Sequence, residues 1–364
     1  MRILYGVVGE GMGHATRSTV LLEHLTKHHD VHIVVSGRAR DYLAKRFENV
    51  HNIWGFTINY EGNSVSKWNT LLQNIKGAFK GWPQNVKKYF ELVETFAPDV
   101  VVSDFESFSY MFARNHMIPV ISVDNMQIIN RCKHEPGLLA GHENAFEMTR
   151  SIVKAKLPGA FHYLITTFFY PPVRKERTTL APSILRPIIL AAKSEPGEHL
   201  LVYQTSTTNT ALIEGLKASG IPCRVYGMRR DLKADEVEAN LTFKPFSEAG
   251  FIDDLRTSRG VVAGGGFTLM SEAVYLRKPI LSLPVVGQFE QEINALYLEQ
   301  LGYGMYAKAL DGEVLSEFLQ RIPKCEEALK GYSQDGNKLM IEALDQTLAR
   351  AYERKGSWAE ITNA

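Results

Sequence analysis

Two places in this chain carry residues whose types and spacing can do chemistry, and each follows a glycine turn. In the stretch Phe243 to Asn294 an apolar run of strand length, Gly260 to Ala263, enters Gly264, Gly265 and Gly266. A helix from about Phe267 to Leu276 follows, with a second strand at Pro279 to Leu283. Glycines at a strand-to-helix turn let the backbone approach a ligand closely. The N–H groups of the first helical turn, at the positive end of the helix dipole, attract an anion such as a pyrophosphate. Thr268 and Glu272 share one face of that helix, and a carboxylate there accepts hydrogen bonds from two neighbouring ribose hydroxyls. A nucleoside diphosphate satisfies both features. Beyond Pro284, the side chains of Gln288, Glu290, Gln291 and Asn294 suit sugar hydroxyls. The bland alternative is an ordinary crossover with a packing glycine and a solvated glutamate.

The other place is the N-terminus. Arg2 to Val8 is an apolar run typical of a central parallel strand, and it delivers the chain into Gly9-Glu10-Gly11-Met12-Gly13-His14. A helix from about Ala15 to His28, buried along Val20, Leu21, Leu22 and Leu25, and a strand at Val31 to Val35 complete a βαβ opening. The glycine spacing is not G-x-G-x-x-G, and the second strand ends at Ser36-Gly37-Arg38 with no acid to hold an NAD ribose. Ser36 and Arg38 can suit the extra phosphate of NADP, which keeps an NADP-dependent oxidoreductase as a rival reading. The strand Asp99 to Ser103 ends on Asp104. Residues just past the carboxyl ends of strands in an open α/β sheet face the ligand crevice, so Asp104 and His14 lie on one edge. Asp104 either orients His14 or caps the helix that begins near Phe105.

The order of these motifs resembles the donor-nucleotide half of GT-B glycosyltransferases. The closest type is family 28, represented by the lipid-linked peptidoglycan N-acetylglucosaminyltransferase. Its pattern is met by Phe251-Ile252-Asp253-Asp254, by Gly265-Phe267-Thr268 to Glu272-Ala273, by Lys278-Pro279 to Pro284, and by Glu290-Gln291 to Asn294. The turn ending in His14 is similar to the G-x-G-x-G-H turn of GT-B enzymes, and Asp104 to the aspartate of the family 1 plant-type His and Asp pair. The resemblance implies two Rossmann-like domains facing across a cleft, with His14 as general base, Asp104 supporting it, and Gly11 and Gly13 of the turn among the donor-binding residues. It also implies that Phe246, Phe251 and Ile252 lie close to a uracil base. The expected reaction is inverting transfer of a sugar from a UDP-sugar to an acceptor hydroxyl, without a cofactor or metal. The leaving diphosphate would be held by the N–H groups near Gly265 to Thr268. No Asp-x-Asp motif of the metal-dependent GT-A type occurs. A nucleotide-sugar epimerase or a non-catalytic nucleotide-sugar-binding protein of the same fold are further rivals, although an early Gly-Thr-Arg-Pro-Glu segment of the epimerases is missing.

The 364 residues, 45% hydrophobic, suffice for two domains with separate cores. The expected division is an acceptor-side domain over 1–191, a linker over 192–198, a nucleotide-sugar domain over 199–335, and a C-terminal helix over 336–364 that returns to the first domain. Leu185 to Leu190 reads as the last strand of the first half. The second domain restarts with a strand at His199 to Tyr203 and a hydroxyl-rich turn, where Thr205 and Ser206 either hold diphosphate oxygens or merely cap the next helix. A net charge of +1 gives no global field for nucleic acid. The scattered Cys132, Cys223 and Cys325 suggest neither zinc nor a disulfide framework. With no signal peptide and no span of about 18 apolar residues, a cytoplasmic protein is expected. Lys67 to Lys88 holds lysines, tryptophans and leucines with no acid. Such a surface suits either peripheral contact with an anionic membrane or an ordinary helix pair with a solvated lysine face. The sugar and the acceptor are not legible.

Overall fold

The computed structural model describes residues 1–9, 12–55, 60–61, 64–65, 83–204, 210–229 and 231–354. Gly11, Thr205, Ser206 and most of the lysine-rich stretch, 67–82, lie outside the described residues.

The first half runs β1 (Arg2–Val7), α1 (Met12–Leu25), β2 (Asp30–Val35), α2 (Arg38–Ala44), β3 (Val50–Asn52) and a short β4 (Tyr60–Glu61), β5 (Ser64–Val65) pair. It continues with α3 (83–95), then β6 (Val100–Asp104), α4 (Ser107–Asn115), β7 (Val120–Asp124), α5 (Ile128–Arg131), α6 (Glu143–Lys156), β8 (His162–Thr167), β9 (Thr178–Pro182) and α7 (Pro187–Ala191). Its seven-stranded sheet has the order β3-β2-β1-β6-β7-β8-β9, and its neighbours pair in parallel. Parallel strands must be covered on both faces, which is why β6 and β7 are buried at every position.

The second half runs β10 (Leu200–Tyr203), α8 (Thr210–Ala218), β11 (Cys223–Tyr226), β12 (Glu236–Glu238), β13 (Leu241–Phe243), α9 (Glu248–Arg256), β14 (Gly260–Ala263), α10 (Phe267–Tyr275), β15 (Ile280–Ser282), α11 (Phe289–Gln300), β16 (Gly304–Tyr306), α12 (Gly312–Leu329) and α13 (Lys338–Glu353). Its sheet has the order β12-β13-β11-β10-β14-β15-β16, parallel except for the antiparallel β12 and β13. In each sheet the strand order reverses beside the first strand, between β1 and β6 and between β10 and β14. A doubly wound sheet opens its ligand crevice at that point. The turn leaving β1 leads to His14, β6 ends on Asp104, and the turn leaving β14 carries the three glycines, so the topology brings the candidate residues to two facing edges.

Two expectations change. Leu185 to Leu190 is not a strand; β9 is the last strand of the first sheet, and Pro187 starts the short helix α7. Proline has no N–H for a sheet ladder, while its fixed φ suits the first helical position. Helix α1 begins at Met12 and not at Ala15, which places His14 inside the first turn.

The chain passes between the halves twice, and the two passages are tied together. Asn337 adopts a left-handed φ of 67°, and its side chain accepts from Leu185 N at 2.9 Å and donates to Leu185 O at 2.8 Å. Beyond it, Met340, Leu344, Leu348 and Ala351 of α13 join the core of the first sheet. The linker is held to the second half: buried Lys278 donates to Glu195 O at 2.6 Å and to Ser258 O at 2.8 Å. Between the halves lies an apolar floor on which Phe168 stacks on Phe267 at 5.8 Å and Phe169 on Tyr297 at 4.0 Å. Asn337→Ala loses both bonds to Leu185 and strains the backbone, so it should cost about 2–4 kcal/mol. Asn337→Gly, which tolerates the same φ, should lower the melting temperature less. Equal melting of both variants and the parent protein would contradict the clamp.

Candidate active site

The first half-site is built around a carboxylate with almost no water. Asp104, at the end of β6, is 1% exposed. His14 Nδ1 lies 2.8 Å from its Oδ1, Arg17 Nη2 donates to the same oxygen at 2.6 Å, and Ser18 Oγ donates to Oδ2 at 2.9 Å. All three partners come from α1, whose pitch brings residues three and four apart onto one face. Asp104 is not the helix cap. Glu106 takes that role for α4, accepting from Phe108 N at 2.7 Å and Ser109 N at 2.6 Å.

Burial alone would push the Asp104 carboxyl up, but the charges of Arg17 and His14 and their hydrogen bonds outweigh it and hold its pKa at about 2. An ionised carboxylate only accepts hydrogen bonds. A hydrogen bond from His14 to it therefore needs the Nδ1–H tautomer, in which Nε2 carries the lone pair. Arg17 is 3% exposed; its Nη2 also approaches His14 Nδ1 to 2.8 Å, and its Nη1 donates to Asn125 Oδ1 at 2.8 Å. Asn125 Nδ2 in turn donates to Glu290 Oε1 of the second half at 2.7 Å.

The second half-site faces this one. Thr268 Oγ1 donates to Gly13 O at 3.1 Å, and a Cβ on Gly13 would come within 2.8 Å of that hydroxyl. Only glycine permits the approach. No side chain caps α10 at Gly266, so the first-turn N–H groups that include Phe267 and Thr268 remain a place for an anion.

Gln291 and Asn294, expected as donor-binding amides, contact the glycine turn. Gln291 Oε1 accepts from Gly265 N at 3.1 Å and Val285 N at 3.0 Å, and Asn294 Nδ2 donates to Gly265 O at 3.0 Å. They brace the glycine turn. A Cβ on Gly265 would lie 2.2 Å from the backbone oxygen of Gln291, so that glycine is required, while one on Gly264 would press on the Gln291 side chain at 3.0 Å.

Glu272 is 2% exposed and both its oxygens are taken. Arg186 Nε and Nη2 donate to Oε1 and Oε2, each at 2.8 Å, while Arg186 Nη1 reaches Glu248 at 2.6 Å. A fork of this kind is the strongest common side-chain pairing. Phe251 and Ile252 are 8% and 4% exposed and belong to the core, where Phe251 meets Tyr203 and Tyr226 edge to face. Phe246, 74% exposed, is the ring of this segment open to a ligand.

Sequence reasoning did not single out Arg17, Ser18, Asn125 or Arg186. Arg17 stands one helical turn after His14, and Asn125 directly follows a strand at the crevice edge; both positions were signals. Arg186 offers none, since its partner lies 86 residues away.

The two seven-stranded parallel-sheet domains and their facing crevices define a GT-B glycosyltransferase. A family model described as glycosyl transferase family 1 matches residues 1–323, and the chain belongs to that family. An uncharacterized glycosyltransferase of Methanosarcina mazei is 27% identical over 355 residues, covering 88% of this chain and 90% of the relative. A second from the same organism is 26% identical, covering 95% and 96%. Among solved structures, Phytolacca americana UGT2 complexed with UDP-2fluoro-glucose and pterostilbene shares the fold at TM-score 0.65 and 13% identity, covering 97% of this chain and 98% of that one. Acinetobacter baumannii MurG does so at TM-score 0.56 and 12% identity, covering 95% and 99%.

The Asp104 network has a signed consequence for stability. Its folded pKa of about 2 lies below the ordinary 3.8, so the carboxylate contributes about 2 kcal/mol that is fully present above pH 4. The contribution is lost as pH falls through about 2. Urea unfolding between pH 5 and 2 should show a steeper acid loss for the parent protein than for Asp104→Asn; parallel losses would remove Asp104 from the account.

Proposed function

We propose that this glycosyltransferase moves a sugar from a UDP-sugar to an acceptor hydroxyl with inversion and without a metal. The observation that carries the reading is the Nδ1 contact of His14 with a buried, ionised Asp104, at 2.8 Å, on the edge that faces the α10 N-terminus. Nε2 takes the acceptor proton as the oxygen attacks the anomeric carbon, and Asp104 stabilises the imidazolium that forms. The sugar–phosphate bond breaks in the same displacement, which inverts the centre because no enzyme-bound sugar intervenes. The leaving diphosphate is received by the first-turn N–H groups of α10 and the dipole behind them.

UDP as the nucleotide is supported by the structural likeness to a protein solved with UDP-2fluoro-glucose and by the paired acidic and glycine motifs. In the donor complex the ribose hydroxyls share or replace the Arg186 fork on Glu272, and Glu290 turns from Asn125 toward the sugar. The acceptor is a lipid-linked or small-molecule alcohol. Among the described residues no helix is long and apolar enough to cross a membrane, so a lipid-linked acceptor would be met at a surface.

A screen of nucleotide sugars for UDP release, with lipid and small-molecule acceptors, tests the donor. With the active donor in hand, His14→Ala should lower kcat by about 10²- to 10⁴-fold while UDP affinity measured by calorimetry stays unchanged. Full turnover by His14→Ala would remove the base, and release of a different nucleotide would correct the donor.

A further inference from the structure

A cluster of cations gathers around Arg131, whose partners Tyr163 and Thr178 stand at the amino ends of β8 and β9. The loop between β8 and β9 runs back along the end of α5: Lys133 N donates to Pro172 O at 2.8 Å and Arg174 N to Arg131 O at 2.9 Å, with a bridge between Cys132 and Val173. This pairing brings two cationic side chains onto Asn130. Arg174 Nη2 donates to Asn130 O at 3.0 Å, and Lys175 Nζ donates to Asn130 Oδ1 at 2.6 Å.

Arg131 forms the base of the cluster. It is 7% exposed, lies 3.7 Å over the Tyr163 ring, and donates from Nε to Thr178 Oγ1 at 2.6 Å. Lys154 and Arg150 stand on α6, and their charges act on Lys175. Burial first, then the positive charges of Arg174, Arg131, Lys154 and Arg150, push the Lys175 ammonium down to about 8.

Arg150 pairs with Glu147 at 2.6 Å. Among the described residues Arg131, Lys154, Arg174, Lys175 and Arg177 have no carboxylate at ion-pair distance. Like charges held together without a counter-charge are costly, and an anion that enters between them recovers that cost. Tyr163 and Thr178 stand at the amino ends of β8 and β9, whereas the His14 crevice opens at the carboxyl ends of the strands. The two places are therefore on opposite edges.

We propose that Lys154, Arg174 and Lys175 form a binding site for a phosphate-bearing anion, separate from the donor cleft. Phosphate fits because it offers several oxygens and more than one negative charge to cations arriving from α6 and from the β8–β9 loop. A planar guanidinium beside ammonium groups is the usual donor set for it. The same chemistry is presented by a free oligophosphate and by a phospholipid headgroup.

Titration calorimetry with sodium tripolyphosphate tests the site. The parent protein should bind at low salt and lose affinity as salt rises, and Lys154→Gln/Lys175→Gln should bind about tenfold more weakly. Lys154→Gln alone alters an exposed side chain and should show a smaller loss in the same direction. No binding by the parent at low salt, or equal binding by all three proteins, overturns the proposal. The source is assigned by sedimentation with phosphatidylglycerol and with phosphatidylcholine vesicles. Salt-sensitive pelleting with the first alone, lost in the double variant, identifies a headgroup; a protein that binds tripolyphosphate yet stays in the supernatant takes a free anion.

Discussion

The arrangement depends on one buried negative charge. A carboxylate taken out of water is expensive unless it is neutralised and hydrogen-bonded, and Asp104 meets both conditions only because α1 starts where it does. His14, Arg17 and Ser18 reach it together from a single helical turn. Had α1 begun three residues later, the ring would have lain outside the helix and outside the network. The pairing suits the Nδ1–H tautomer of His14, the form that the proposed chemistry uses.

The second constraint is the meeting of the halves. Thr268 against Gly13, Asn125 against Glu290 and Arg186 against Glu272 are three polar links laid over an apolar floor of stacked aromatic rings. In the proposed function, each link uses a group on the donor side that would instead hold part of a nucleotide sugar. The clamp of Asn337 on Leu185 ties the start of α13 to the end of the first half.

Much of this was legible because it is local. A strand, a glycine turn and a helix announce themselves within about fifteen residues, and so His14, Thr268, Glu272 and the glycines could be picked out before any coordinates. Asp104 was placed at the right edge by topology, but its choice between cap and partner could not be made, since nothing local shows that Glu106 caps α4. The partners of buried charges were hidden: Arg17 finds Asp104 across 87 residues, and Arg186 finds Glu272 across 86. Gln291 and Asn294 carry the right chemistry for a sugar, but that they also hold the tight glycine turn was not visible in the sequence. Leu185 to Leu190 read as a strand from its apolar residues, and Pro187 decided otherwise.

The central claim is that Asp104 acts through His14. A double-mutant cycle on kcat/KM, using His14→Ala, Asp104→Asn and the combined variant, measures that coupling directly. The account predicts that Asp104→Asn slows the parent enzyme but has almost no further effect once His14 is gone. Losses that multiply independently would contradict it, because Asp104 would then serve the reaction by a route that does not pass through the imidazole.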